Sequence, residues 1–312
     1  MIKFPRNLLK HIINEALSSR LQEIAAFANS AKNARHYHAG QDVVMTCIFT
    51  GQVIAVDRRD MSLAPHLILN GMWEEALTKH CQALVAQKAS PVIFDVGANF
   101  GWYGLTLSRF SGGSTVHFFE ANPSMIPLLH KTVLVNGLAL RSRVIHGAVT
   151  SSSGENVELH IPSMHKGSAS TKGFNVDLAN YHENLAVVDV CIVNGISLDD
   201  YCSSVGISSI DFIKLDVEGG EGDVLMGATK TIANSGELAI MMEWNRRRYA
   251  DAILPILKMF GKCQTLQENG AVIDLSPVLA GSSTVAEFEA AIERQTGQKT
   301  SHFDLFFFTF FI

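Results

Sequence analysis

Four acidic residues in this sequence each close an apolar run of the kind that forms a buried strand. They are Asp95, Glu120, Asp216 and Glu243. Ligands of open parallel sheets bind beyond the carboxyl ends of the strands, so we expect these four side chains at one edge of a sheet. Because gathered carboxylates repel one another, stability alone explains the arrangement poorly, and it indicates a ligand site.

The stretch from the strand before Asp95 to Glu120 has the order strand, glycine-containing turn, helix, strand, acid. This is the order of the first half of a Rossmann-like nucleotide site, in which Glu120 would accept hydrogen bonds from ribose hydroxyls. Gly97 and Gly101 would let the backbone approach the ligand closely. The dinucleotide fingerprint lacks its middle glycine here, and Asn99 stands in the turn. Asp95 would repel a pyrophosphate but would suit an ammonium group, so the pattern favours S-adenosylmethionine over NAD. An ordinary turn with a helix-capping aspartate is the alternative.

Composition limits the classes of function. The 312 residues, 47% of them hydrophobic, suit one large α/β domain with an appendage or two small domains. The net charge of −5 argues against nucleic acid as a partner. Five cysteines without a C-x-x-C pair indicate neither disulfides nor a zinc site and predict a cytoplasmic protein. We find no signal-peptide pattern and predict no transmembrane segment.

Three segments are predicted along the chain. Residues 1–40 read as an amphipathic helix over 7–27 and a polar linker; the apolar face of this helix would pack on the body, form a homodimer or lie on a membrane surface. Residues 41–88 read as a small cap, with a hairpin of 43–49 and 53–57 and a helix over 72–85. Residues 89–312 would form the ligand-binding domain.

Within that domain, a loop insertion at 162–185 is of a length typical of a functional lid or of a mobile excursion. Residues 143–149 are predicted as the third strand, and 157–161 and 186–193 as antiparallel partners. Residues 305–312 are predicted as a buried closing strand. The expected fold is therefore α/β: a Rossmann-like, mostly parallel sheet with an antiparallel C-terminal strand, an N-terminal helix and a hairpin/helix cap.

Five sequence stretches carry a resemblance to a known family. They are IFDVGANFGWYGL at 93–105, FFEANPSMIPLLHKTVLVNG at 118–137, GAVTSSSGENVELHI at 147–161, ISLDDY at 196–201 and IDFIKLDVEGGEGDVLMGA at 210–228. In this order they resemble the FkbM family of S-adenosylmethionine-dependent class I methyltransferases. The resemblance runs from about residue 91 to 311, and Ala121 departs from it because family members usually carry proline there.

The resemblance implies methyl transfer, most often to a hydroxyl of a sugar, polysaccharide or natural-product scaffold. The positions it implies for cofactor binding are Asp95, Gly97, Ala98, Asn99, Gly101, Glu120, Ala121, Asn122, Ala148, Asp216, Glu218 and Glu221. A neutral hydroxyl needs a general base, for which Asp216 is the first candidate and His165 the second. The alternative role for Asp216 is to cap the following helix.

A divalent metal is a separate hypothesis. Asp216, Glu243 and Asn245 resemble the oxygen ligands of magnesium-dependent class I O-methyltransferases, and residues two apart on a strand face the same side. Mg²⁺ would lower the pKa of the acceptor hydroxyl. Alternatives to an O-methyltransferase on a glycan or small-molecule acceptor also remain open. They are an N- or small-molecule methyltransferase on the same core, a non-catalytic Rossmann-like binding module and, less favoured, an NAD-dependent oxidoreductase.

Overall fold

The computed structural model describes residues 42–163, 165–172, 188–267, 270–297 and 302–309. The predicted N-terminal helix, with its proposed dimer role, and most of the loop insertion lie outside these residues. The strands, in chain order, are β1 (Val43–Cys47), β2 (Val53–Asp57), β3 (Val92–Val96), β4 (Thr115–Glu120), β5 (Ser142–His146), β6 (Ala148–Val149), β7 (Asn156–Pro162), β8 (Val188–Ile196), β9 (Phe212–Leu215), β10 (Ala239–Asn245), β11 (Lys262–Leu266), β12 (Val272–Asp274) and β13 (His302–Phe308).

The helices alternate with the strands along most of the chain. They are α1 (Ala64–Asn70), α2 (Glu75–Val85), α3 (Trp102–Ser108), α4 (Ile126–Val135), α5 (Leu198–Val205), α6 (Glu221–Met226), α7 (Thr229–Asn234), α8 (Leu254–Leu257), α9 (Ser276–Gly281) and α10 (Val285–Thr296), with short 3₁₀ turns at Lys166–Ser168 and Asp251–Ile253. Among the helices of the described residues, none has the length and apolar character needed to cross a membrane.

Eight strands form the central sheet in the order β12-β11-β13-β10-β9-β3-β4-β5. The five from β10 to β5 are parallel, and β13 runs antiparallel to both β10 and β11. The predicted mostly parallel sheet with an antiparallel C-terminal strand is confirmed. The closing strand ends at Phe308, and residues 310–312 lie outside the described part of the chain.

Both faces of this sheet are covered, which explains why its strands read as continuous apolar runs rather than as alternating patterns. One buried cluster includes Phe94, Leu215 and Trp244 and packs against the C-terminal helices. The other includes Phe118 on the sheet and Ile54 on β2, so the hairpin shares its core with the central sheet.

The cap contains the predicted hairpin, since β1 and β2 pair antiparallel. Its predicted helix over 72–85 begins only at Glu75, because Glu74 has a left-handed backbone (φ 42°) that no helix accommodates. Helix α1 lies between hairpin and α2 and was not predicted.

The third strand was predicted as one element over 143–149, and this was wrong. It divides at Gly147: β5 completes the central sheet, whereas β6 joins β7 and β8 in a separate three-stranded sheet. A Cβ on Gly147 would lie 2.6 Å from the side chain of Ile196, so glycine allows β8 to approach at the point of division. The antiparallel pairing of β7 with β8 was predicted correctly.

Candidate active site

A cavity of about 230 Å³ lies at the carboxyl ends of β3, β4, β9 and β10, where the four strand-tip acids were expected to meet. Its floor is the turn after β3, and its walls come from the cap, from β6 and β7, from residues 167–171 and from the loop after β9. The carboxylates among its lining residues are Glu74, Glu120, Asp216, Glu218 and Glu243, and the lining also includes Trp73, Trp102, Tyr103 and Phe119.

Glu120 lies at the tip of β4 and is 7% exposed. Its two carboxylate oxygens accept hydrogen bonds from the backbone N–H groups of Asn99 (2.6 Å) and Asn122 (2.7 Å). These bonds fix the carboxylate against the turn after β3 and leave lone pairs for a ligand hydroxyl. Ala148 and Leu159 line the cavity beyond it and give that end an apolar surface.

Asp95 lies beneath the turn rather than in the cavity wall. It is 1% exposed; Oδ2 accepts a hydrogen bond from the Gly104 N–H (2.8 Å), and Oδ1 is buried without a hydrogen-bond partner. Burial raises the pKa of Asp95 to about 7; the charges of Glu120 and Asp216 act in the same direction, and Lys214 opposes them.

The turn glycines serve packing. A Cβ on Gly97 would lie 1.7 Å from the Asp216 carbonyl oxygen, and one on Gly101 would lie 2.8 Å from the Leu129 side chain. Both glycines also have positive φ values, 76° and 88°. They therefore let the turn after β3 pass close to the tip of β9 and to α4.

Lys214 links the tips of the two central strands. It is 6% exposed, and its ammonium donates to the Gly97 carbonyl (2.8 Å) and lies 3.1 Å from Asp216 Oδ2. The Asp216 side chain is 34% exposed and faces the cavity. A buried ammonium is tolerated only with such partners, and the pair holds Asp216 in place.

Glu218 and Glu221 follow Asp216 in a tight loop. Glu218 has a left-handed backbone (φ 56°) and lines the cavity; burial raises its pKa to about 8, with Asp216 and Glu221 adding to the effect. Glu221 is fully buried and accepts hydrogen bonds from the N–H groups of residues 217 and 219 and from the hydroxyl of Tyr249. Glu221 thus holds the loop, whereas Glu218 lines the cavity.

A lysine fastens the short segment 165–172 over the cavity. The Lys166 ammonium lies 2.9 Å from Asp57 Oδ2 on the cap, and its backbone N–H donates to Asp60 (3.1 Å). Asn122 donates to the Lys166 carbonyl (3.0 Å), and Ser170 donates to the Glu218 carbonyl (2.8 Å). The segment is therefore anchored to the cap, to the residues after β4 and to the loop after β9.

The Methyltransferase FkbM domain model matches residues 95–273, which is more than half of the chain. The chain belongs to the FkbM methyltransferase family. This FkbM-family enzyme is 26% identical over 213 residues to the 2-O-methyltransferase NoeI of Sinorhizobium fredii (strain NBRC 101917 / NGR234), covering 66% of this chain and 78% of that protein. It is 27% identical over 180 residues to the 31-O-demethyl-FK506 methyltransferase FkbM of Streptomyces tacrolimicus, covering 50% and 67%. The resemblance read from the sequence is confirmed, and the chain is a methyltransferase.

Solved structures similar to this FkbM-family methyltransferase include an O-methyltransferase from Bacillus cereus in complex with SAH. That match has 12% identity and a TM-score of 0.34, and it covers 76% of this chain and 81% of the other. The precorrin-6y C5,15-methyltransferase of Geobacter metallireducens gives 6% identity and a TM-score of 0.38, with 76% and 89% covered.

Other predicted site residues of this FkbM-family methyltransferase occupy different places. Ala98, Asn99, Ala121 and Ala148 line the cavity. Gly101, Asn122 and His165 are not among its lining residues; Asn122 acts through its hydrogen bonds to Glu120 and to Lys166. His165 directly precedes the 3₁₀ turn of the segment 165–172.

The structure brings together a different set of possible metal ligands from the one predicted. Among the described residues, oxygen atoms of Asp216, Glu221 and Glu243 lie within 4.8 Å of one another. Asn245 instead donates its side-chain amide to Glu243 (2.9 Å). Carboxylates suit Mg²⁺, but Lys214 already neutralises Asp216, and both oxygens of Glu221 hold hydrogen bonds. This donor set fits a magnesium ion poorly.

Sequence reasoning missed two charged residues of this site, Lys214 and Glu74. Lys214 interrupts an apolar strand, and a lysine there implies buried carbonyl or carboxylate partners, which is a signal available in the sequence. Glu74 lies in the cap and outside the segment that the family model matches. The element at 71–74 resembles the family in sequence, but its place in the cavity wall follows from the packing of the cap on the core.

Proposed function

We propose that this protein transfers the methyl group of S-adenosylmethionine to a hydroxyl group of a sugar, glycan or glycosylated natural product. The observation that carries the proposal is the cavity at the strand tips, in which Glu120 faces an apolar slot on one side and Asp216 faces the cap on the other. Two relatives are named for O-methylation, which supports oxygen as the acceptor atom.

The lining of the cavity fits this cofactor. Among the described residues, five carboxylates and one lysine line it, so the charge balance favours a ligand that carries positive charge. S-adenosylmethionine carries a sulfonium and an ammonium group, two ribose hydroxyls suited to Glu120, and a flat base suited to the surface at Ala148 and Leu159.

When bound, S-adenosylmethionine supplies an electrophilic methyl group, so the protein must bind, align and deprotonate the acceptor. Asp216 is the proposed base because its carboxylate reaches the cavity from the tip of β9 and is fixed by Lys214. The covering segment and the cap restrict water and hold the acceptor in line, which supplies rate through proximity. The charged lining residues in the described part of the chain are five carboxylates and Lys214, which favours an uncharged or cationic acceptor.

The test is transfer of labelled methyl from S-adenosylmethionine to a panel of glycans, hydroxylated natural products and amines. We expect O-methyl products, and Asp216→Asn should lower kcat about 100-fold or more through loss of the base. Asp189→Asn, at an exposed aspartate of β8, is the control. Products methylated only on nitrogen would favour the N-methyltransferase alternative, and full activity of Asp216→Asn would reject this residue as the base.

Magnesium dependence stays a prediction of the sequence, and no step above runs through a metal. Activity that survives complete EDTA treatment would exclude the requirement. Loss of activity that Mg²⁺ restores would establish it.

A further inference from the structure

The proposed cofactor cavity has two ends, which differ in their carboxylates. One end is formed by Glu120, at the tip of β4, and by the apolar side chains of Ala148 and Leu159. Glu74 and Asp216 lie at the other end, on the β9 side of the turn. If the adenosine occupies the first end, the amino-acid tail of the cofactor extends toward the second. That tail carries an ammonium group, which needs a carboxylate or carbonyl partner.

Asp95, the residue that the sequence favours for this ammonium, is not placed to bind it. It lies under the turn, is 1% exposed and is not among the residues that line the cavity. Its Oδ2 accepts a hydrogen bond from the Gly104 N–H, and its Oδ1, which has no hydrogen-bond partner, is buried under the turn and not open to the cavity. The Asp95 carboxylate therefore supports α3 and the turn from below, and the ammonium partner must come from another residue.

Asp216 is also partly committed. Its Oδ2 lies 3.1 Å from the Lys214 ammonium, which in turn donates to the Gly97 carbonyl. Because that carbonyl and that carboxylate already share one buried cation, the β9 side of the turn offers little further capacity for a second. Glu218 and Glu243 also line the cavity on this side, but both are less exposed than Glu74, and Glu243 already accepts a hydrogen bond from the Asn245 amide.

Glu74 is the most exposed of the cavity carboxylates, and the charge of Lys214 reaches it without forming an ion pair. Its side chain is exposed through the cavity, and within the described residues no Lys, Arg or His nitrogen forms an ion pair with it. The Tyr103 hydroxyl donates to Glu74 Oε2 (2.6 Å), which orients the carboxylate and leaves most of its acceptor capacity open. Removal from bulk water by the cavity walls raises the pKa of Glu74, and the charge of Asp216 adds to this.

The backbone at Glu74 is set up for this orientation. A left-handed conformation (φ 42°) is uncommon for a residue other than glycine. It directs the side chain of the last residue before α2 toward the turn, beside Trp73, which also lines the cavity. A neighbouring glutamate, Glu75, points outward and pairs with Lys79 at the surface.

We propose that Glu74 binds the ammonium group of the amino-acid tail of S-adenosylmethionine, so that the cap, and not only the Rossmann-like core, forms the cofactor site. The inference rests on the proposed function. It assigns to the cap a role in holding the cofactor, and to Tyr103 a positioning role through its hydrogen bond to Glu74.

The experiment is isothermal titration with two probes that differ in the tail. S-adenosylhomocysteine carries the ammonium, whereas 5′-methylthioadenosine lacks the amino-acid part. The variant Glu74→Gln keeps the size and an acceptor oxygen but removes the charge, and Glu75→Gln is the matched control. Because Glu74→Gln loses one charge-assisted contact, it should bind S-adenosylhomocysteine about tenfold or more weakly than the wild type. Binding of 5′-methylthioadenosine should change less than about twofold, because it makes no contact with the residue.

Each other result has a defined meaning. Equal weakening of both probes would show that Glu74 acts on the structure of the site, and unchanged binding of both would remove it from the cofactor site; either overturns the inference alone. Failure of the wild-type protein to bind either probe would overturn the proposed function as well. Equal effects of Glu74→Gln and Glu75→Gln on S-adenosylhomocysteine binding would show that the net surface charge, and not a contact with Glu74, sets the affinity. That result would also reject the proposal.

Discussion

Replacement of Lys166 by methionine should accelerate release of the cofactor product. In the described part of the covering segment (residues 165–172), Lys166 is the one lysine that forms an ion pair with the cap. Its ammonium lies 2.9 Å from Asp57 Oδ2. Methionine keeps an unbranched apolar side chain of similar length and removes the charge. The two backbone contacts of this residue, with Asp60 and Asn122, remain available.

The size of the effect follows from burial. The side chains of Lys166 and Asp57 are 18% and 6% exposed, so the pair lies between exposed ion pairs and fully buried ones. Asp57 also keeps its two hydrogen bonds from the Arg59 guanidinium, so its carboxylate is not left without a cation. We therefore expect a loss of about 1–2 kcal/mol, below the cost of stranding a buried charge. If the loss falls on the closed segment, the closed-to-open ratio drops about 5- to 30-fold.

The assay is stopped-flow displacement of S-adenosylhomocysteine, followed by the fluorescence of Trp73 and Trp102 in the cavity wall. Lys166→Met should raise the dissociation rate about 5- to 30-fold and leave the association rate within about threefold of the wild-type rate. Lys79→Met, which breaks an exposed pair with Glu75, is the control and should change neither rate. A dissociation rate equal to that of the wild type, despite a lower stability of Lys166→Met, would refute the role of this contact in retaining the ligand.

Two further predictions concern stability. Gly97→Ala should lower the free energy of unfolding, measured by urea titration, by about 3 kcal/mol or more. The reason is that its Cβ would overlap the Asp216 carbonyl oxygen at a residue with positive φ. Gly112→Ala, where a Cβ meets no atom within 4 Å, is the control and should be nearly neutral. The ligand-free protein should lose stability as pH rises from about 5 to about 8. The folded protein retains protons on Asp95 (pKa about 7) and Glu218 (pKa about 8) that the unfolded chain has released, so the slope of unfolding free energy against pH is negative. Asp95→Asn should flatten the change in Tm over this range, and a Tm that rises with pH in the wild type would contradict the assignment.

Much of the fold could be predicted because its signals are local. Apolar runs that end in Asp95, Glu120, Asp216 and Glu243 mark parallel strands buried on both faces, and the topology of such sheets brings their carboxyl ends to one edge. The hairpin of the cap was equally readable, since two β-prone runs flank a short turn around Gly51.

Other features depend on contacts between distant segments. The division of the third strand at Gly147 follows from the approach of Ile196 on β8, and the covered position of Asp95 follows from its bond to Gly104. The turn glycines were expected to let the backbone approach a ligand, and the structure adds a packing role, because a Cβ on Gly97 would overlap the Asp216 carbonyl oxygen. Glu74 and Lys166 acquire their surroundings only through the packing of the cap on the core.

The central claim is that the cavity at the strand tips binds S-adenosylmethionine through Glu120. The most direct measurement is isothermal titration of the wild-type protein and of Glu120→Gln with S-adenosylhomocysteine, with NAD as the competing candidate. We predict binding of S-adenosylhomocysteine to the wild type, weakened about tenfold or more in the variant through loss of the carboxylate acceptor, and no binding of NAD. Binding of NAD in its place, or an affinity for S-adenosylhomocysteine that Glu120→Gln leaves unchanged, would contradict the account.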